Sequence, residues 1–240
     1  MSDYNTERLD NMLVFQRFWA LMINPWVIVA YMSLITATFL YVDIPLAYYF
    51  HRLDLGYYLS VLNLITHLGV GALYFVSLSI IALYYRYIKS YTLAEERAWF
   101  LLLCTLLPSL ICLVMKILLG RARPSLLFDN NLYGFYGLHA QASFWSCPSG
   151  HTTVVMGFFA GLSVIYPRHM AKFLTIGLFI AATRVMLTNH YLSDVLVASY
   201  LACIEIGLLT WWLRKNNLLL GIYMPSKSVV SDQAINDPLI

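Results

Sequence analysis

The chain has 240 residues, of which 60% are hydrophobic and 15% aromatic while only 11% are charged. That balance excludes a water-soluble domain with a polar exterior, and a net charge of +3 without a basic stripe or basic helix excludes a nucleic-acid partner. Uncharged apolar runs of bilayer length make it an integral membrane protein, and its size suits a single membrane-embedded domain over 1–240.

Residues 1–24 begin acidic and are interrupted by Arg17, unlike a cleavable leader. Leu9, Met12, Phe15, Trp19 and Met22 recur at helical spacing, which predicts an amphipathic helix lying on the membrane surface. Six apolar runs follow. The first is Pro25–Val42, continuing toward Phe50 past Asp43 and Pro45; the second and third are Leu68–Tyr85 and Ala98–Met115. Between the first two, Leu55–His67 has its own apolar periodicity and reads as an interfacial helix. The fourth run, Thr152–Pro167, is slightly short for a bilayer, and the fifth and sixth are Ala171–Leu187 and Asn189–Leu213. The expected fold is all-α, a bundle of six transmembrane helices, with 216–240 as a tail.

Six spans put both termini on one side of the membrane. With the termini in the cytoplasm, the inner face holds Arg8, Arg17, Arg86, Lys89, Arg97, Arg168, Lys172, Arg214, Lys215 and Lys227, which is 10 of the 15 basic residues. The bias of lysine and arginine toward cytoplasmic loops favours that orientation. Arg52, Lys116, Arg121, Arg123 and Arg184 are left on the outer face, together with a long loop over 120–147 that is rich in aromatics (Phe128, Tyr133, Phe135, Tyr136, Phe144 and Trp145). A loop of that length and composition reads as a partly ordered flap at headgroup level that touches substrate.

Three clusters of polar residues fall at these outer ends: Lys116-x6-Arg123-Pro124, Pro148-Ser149-Gly150-His151 and Thr183-Arg184-x5-His190-x3-Asp194. Such groups are costly near lipid and call for a function. Arg123 and Arg184 offer planar forks suited to phosphate oxygens, and Lys116 adds a point charge. Ser149 is placed to cap the fourth span, and Gly150 lets the backbone come close to a ligand, so amide groups and the positive end of the helix dipole face an anion. His190 and Asp194, four apart, would stack on one helix face; the carboxylate would then fix the imidazole tautomer and leave the other nitrogen to attack. His151, on another helix, could act as general acid. No spacing of His, Cys or carboxylates on this face suits a metal site, and no cofactor is implied.

The three clusters resemble the signature of the type 2 phosphatidic acid phosphatase superfamily, with Thr183 where the usual motif has serine. The resemblance implies that Lys116, Arg123, Ser149, Gly150 and Arg184 hold phosphate, that His190 becomes a phosphohistidine, that Asp194 orients it and that His151 protonates the leaving group. It implies a metal-independent phosphatase acting on a membrane lipid phosphate, with phosphatidic acid, phosphatidylglycerol phosphate, polyprenyl diphosphate and lipid A phosphates as candidate substrates. The expected location is a bacterial inner membrane, with the active site facing the periplasm. A lipid-to-lipid phosphotransferase would use the same residues. An anion transporter would need polar or broken helices at the bilayer midplane, whereas apart from Glu205 and Pro108 the spans are apolar.

The remaining polar residues carry plainer expectations. Glu205, in the middle of the sixth span, reads as a protonated or hydrogen-bonded acid inside the bundle. His51, His67 and His139 read as headgroup or solvent contacts. Cys104, Cys112 and Cys203 are apolar fillers, and Cys147 lies in a loop where a thiol reagent should reach it; no disulfide framework is legible.

Overall fold

The computed structural model describes residues 14–58, 60–219 and 222. Every described element of length is helical. In chain order they are α1 (Pro25–Leu53), α2 (Ser60–His67), α3 (Gly71–Lys89), α4 (Thr92–Leu119), α5 (Pro124–Asn130), α6 (Gly150–Ile165), α7 (Met170–Met186) and α8 (Leu192–Lys215). Five stretches are long and apolar enough to cross a membrane: α1, α3, α4, the segment Pro167–Met186 that contains α7, and α8. The sixth expected span is α6, which has only 16 residues. At about 1.5 Å per residue it is shorter than the ~30 Å hydrocarbon core.

Its position explains why it can be short. Helix α6 sits between α4, α7 and α8, and eleven of its residues, from Thr152 to Ile165, are buried. The close packing has a local cause. Pro108 in α4 has no N–H to give to the carbonyl of Cys104, and that carbonyl faces Gly157 of α6. A Cβ at Gly157 would stand 2.3 Å from the Cys104 oxygen, and one at Gly161 would stand 2.9 Å from its Sγ. Small residues one turn apart thus let the two backbones touch. By contrast, Pro25–Ala37 of α1 has no buried residue, and Trp26, Val29 and Leu34 are exposed as a lipid-facing surface.

Helix α1 changes character at a π-helical turn, Thr38–Val42. The wider turn re-aims the chain, so that Asp43, immediately after it, is 1% exposed and Ala47 is also buried. Residues 14–22 are helical, with Phe15 buried beside Phe100, Ile206 and Leu213. This segment packs onto the bundle instead of lying only on the membrane surface, as its apolar spacing had suggested. The rest of the N-terminal helix predicted over 1–24 falls outside the described residues, as does most of the tail 216–240.

The long loop is ordered by the end of α4. Helix α4 stops at Gly120, whose φ of 55° is left-handed, and Tyr136, Gly137 and His139 donate their amides to the carbonyls of Gly120, Leu119 and Ile117. Aromatic pairs complete it: Phe39 on Tyr133, His51 on Phe128, and His139 on Phe144. His51 stays exposed and His139 half-buried, so the expected solvent contact is joined by a stacked aromatic neighbour in each case.

At Gly120 a Cβ would lie 1.8 Å from the carbonyl oxygen of Gly137. Gly120→Ala should therefore lower stability by at least ~2 kcal/mol, from the left-handed φ together with the clash. The measurement is thermal unfolding in detergent, with protease nicking of the loop as a second readout; an unchanged Tm would mean that this crossing is not tightly packed.

Candidate active site

The site forms where α4, α6, α7 and α8 end on one side of the bundle. Lys116 lies in the last turn of α4 and is 9% exposed, and its Nζ donates to the carbonyl of Trp145 at 2.8 Å. Gly150 opens α6, and a Cβ placed there would meet Lys116 Cε at 3.6 Å and Nζ at 3.8 Å. The first turn of α6 thus faces that ammonium. Ser149 is the N-cap residue, as expected, but its hydroxyl does not cap. It accepts instead from the Thr152 hydroxyl at 3.0 Å, and the Ser149 amide donates to the carbonyl of Asp194 at 3.3 Å. The first-turn amides of α6 have no carbonyl one turn back within the helix, which suits an anion.

Arg184, in the last turn of α7, gives Nη1 to Thr66 of α2 at 2.9 Å. Arg123 precedes α5. Each arginine also has a buried Nε with no hydrogen bond among the described residues. Lys116, Arg123, Arg184 and His67 are all close enough to act electrostatically on His151. Burial lowers the pKa of Arg123 from the usual arginine value, with Asp194 opposing.

His190 lies outside the helix, and this corrects the expected geometry. It precedes α8, with Tyr191 as the N-cap, so His190 and Asp194 do not stack on one helical face. Asp194 is the third residue of the helix and turns back to accept the Tyr191 amide at 2.9 Å, a capping contact that carries its Oδ2 to 3.6 Å from His190 Nδ1. That is longer than the usual hydrogen bond of about 2.7–3.2 Å, and with the ring neutral it is a dipolar contact with the carboxylate. The pair remains together, but the helix cap is what brings it together. Burial pushes the His190 imidazole down to about 3; Lys116 and Arg123 add to the effect and Asp194 opposes it. The imidazole is therefore uncharged at neutral pH, as a nucleophile must be.

Sequence reasoning missed the residues that hold Asp194. Its Oδ2 also accepts from the Ser146 hydroxyl at 2.6 Å, and its Oδ1 accepts from Arg121 Nη1 at 2.5 Å. Arg121 is 1% exposed and does not reach headgroups; its Nη2 donates to Asp43 Oδ2 at 2.7 Å. Burial works against its charge, but Asp194 and Asp43 outweigh it and hold the pKa above the usual arginine value. The available signal was Asp43 itself, an acid interrupting an otherwise apolar span. Cys147 differs from expectation as well. It is 2% exposed, and burial pushes its thiol up, so it is shielded from reagents. Glu205 is half-buried, and its Oε2 makes no hydrogen bond among the described residues.

The fold and the site together define a polytopic helical membrane protein with a cluster of cations, backed by a histidine–carboxylate pair, at one end of its bundle. Residues 97–218, about half of the chain, match the PAP2 superfamily, and the protein belongs to that superfamily. A lipid A 1-phosphatase of Rhizobium etli is 39% identical over 83 residues, which are 35% of this chain and 36% of that protein. Another, of Rhizobium johnstonii, is 37% identical over 83 residues, 35% of this chain and 34% of the relative. The matched segment thus spans little more than a third of these relatives. A crystal structure of a transmembrane PAP2-type phosphatidylglycerolphosphate phosphatase from Bacillus subtilis aligns with a TM-score of 0.48 and 22% identity, over 87% of this chain and 96% of that one.

In the folded protein His190 should stay neutral as the pH falls from about 8 to about 5, whereas an unperturbed histidine titrates near 6.5. The ¹⁵N resonances of selectively labelled histidine in detergent micelles measure this. Titration of His190 near the ordinary value would show that its imidazole is hydrated.

Proposed function

We propose that the protein is a metal-independent lipid phosphate phosphatase acting by double displacement through a phosphohistidine. The observation that carries this reading is the gathering of Lys116, Arg123 and Arg184 within electrostatic reach of His151, in the half-buried first turn of α6, beside a neutral His190. Asp194, the carboxylate that acts on Lys116 and Arg123, is itself engaged with Arg121, Ser146 and Tyr191, so the cations need an outside anion.

A phosphoryl group in transfer spreads negative charge over its nonbridging oxygens, and fixed donors lower that barrier. Arg123, Arg184, Lys116 and the amides of the α6 first turn are those donors. His190 Nε2 attacks phosphorus, the N–P bond forms and the P–O bond to the lipid breaks. The negative charge of the bound phosphate beside His151 favours its protonated form, and His151 gives that proton to the departing oxygen. Asp194, behind Nδ1, holds the ring and stabilises the positive charge it acquires. Water then attacks the phosphohistidine, His151 takes the water's proton, and phosphate leaves with His190 restored.

The bundle end brings this chemistry to headgroup level, which suits a lipid substrate. The relatives' names favour a lipid A phosphate among the candidates. The distribution of basic residues supports a site facing the periplasm from the inner membrane of a bacterium.

Purified protein should release phosphate from a panel of lipid A, phosphatidylglycerol, phosphatidic acid and polyprenyl phosphates, fastest from lipid A. His190→Ala should abolish the reaction while leaving the folded, inserted protein intact. Retention of more than about 5% of turnover would mean that another group accepts the phosphoryl.

Because Cys147 is buried, sidedness is better read elsewhere. Leu138, 74% exposed in the long loop, is a suitable position for a single cysteine in a cysteine-free background. An impermeant thiol reagent should label it in cells whose outer membrane alone is opened. Labelling only after the inner membrane is breached would place the site in the cytoplasm.

A further inference from the structure

Arg121 stands between two carboxylates, one on the first span and one beside the proposed nucleophile. Nη1 binds Asp194 Oδ1 and the Ser193 hydroxyl, at 2.5 and 2.7 Å, and Nη2 binds Asp43 Oδ2 at 2.7 Å. Asp43 in turn accepts the Ser193 amide at 3.0 Å on Oδ1 and the Ser193 hydroxyl at 2.5 Å on Oδ2. The guanidinium is closed in by four rings, with centroids 4.7 Å (Tyr191), 5.0 Å (Phe39), 5.3 Å (Phe135) and 5.7 Å (Tyr133) from its central carbon. Asp43, Arg121 and Asp194 are each at most 1% exposed. Water screens little here, so their charges count nearly in full.

The sum matters for His190. One cation against two carboxylates leaves one net negative charge in the cluster. If Asp43 were absent, Arg121 and Asp194 would form a neutral pair, and little field would remain to hold His190 Nδ1–H or to support the cation formed on phosphorylation. Lys116 and Arg123, which also act on His190, would then be opposed only by an Asp194 already paired with Arg121. The π-helical turn fits this role. It turns Asp43 into the bundle, and the carbonyl of Phe39 within it accepts from the Tyr133 hydroxyl, closing the ring cage over Arg121.

We propose that Asp43 and Arg121 are positioning residues for phosphoryl transfer: Asp43 shares Arg121 so that Asp194 is held in place without being neutralised and keeps its charge for His190. The inference rests on the reading of His190 as nucleophile. Neither residue touches the phosphate cradle, so both act through Asp194.

The test compares Asp43→Asn with Asp43→Glu in the full-length protein. Asparagine keeps the size and the acceptor for the Ser193 amide but removes the charge; glutamate keeps the charge but disturbs the fit. The proposal expects Asp43→Asn to lower kcat at least about tenfold, with KM and inhibition by inorganic phosphate within about twofold of wild type. It expects Asp43→Glu to be the more active of the two. A purely structural role predicts the reverse order, and Asp43→Asn with wild-type kcat overturns the proposal outright. Should Asp43→Glu fail to fold, the ¹⁵N resonances of His190 in Asp43→Asn decide. The share of the Nδ1–H tautomer should fall, and an unchanged tautomer sinks the idea. His190→Ala is assayed alongside. If it stays active, the phosphohistidine reading fails; if it is dead while Asp43→Asn is fully active, only the present inference fails.

Discussion

The guanidinium of Arg121 is the point on which the rest of the site depends. It ties the first span, through Asp43, to the start of the last, through Asp194 and Ser193, and it is anchored by the loop that leaves α4. Breaking a buried ion pair by removing one partner typically costs about 3–5 kcal/mol, because the remaining charge has no water to turn to. A cluster with that penalty enforces one arrangement of three distant chain segments. The Ser149 amide, bonded to the carbonyl of Asp194, adds the start of α6 to the same junction. The cation cluster is therefore assembled against a fixed wall.

That wall gives the short central helix its role. Helix α6 is mostly buried, and its first turn, opened by the half-buried Gly150 and His151, lies against Lys116 and within electrostatic reach of Arg123 and Arg184. Three cations near one another repel, and burial weakens the solvation that would otherwise relieve them. An arrangement of this kind is stable only because the surrounding fold over-determines it, and it gains most from a ligand with two negative charges. Function and local instability are here the same property.

Much of this was legible in the sequence. All six apolar runs became helices, with ends displaced by a few residues where polar side chains extend a helix beyond the bilayer, as in α4, which begins at Thr92 instead of near Ala98. The convergence of the three motifs at one end followed from alternating topology alone. What failed to be legible was anything that depended on a bend. Asp43 looked like the break that ends an apolar run, because a π-turn that buries it leaves no periodic signature. The i, i+4 spacing of His190 and Asp194 suggested helical stacking, whereas a cap at Tyr191 separates them. Cys147 looked accessible because loops usually are, yet this loop folds back over the end of α4 and covers it.

The aromatic loop joins these observations. Tyr133 and Phe135 enclose Arg121, while the carbonyl of Trp145 holds Lys116 and the hydroxyl of Ser146 holds Asp194. One segment thus fixes Lys116 and the carboxylate behind His190 at the same time. What the structure shows of the loop is a brace that keeps both sides of the site in register. Its exposed outer residues, Leu138 and Phe135 among them, lie at the edge of this brace. For the lipid substrate proposed above, that apolar edge would suit the acyl part while the cations suit the phosphate.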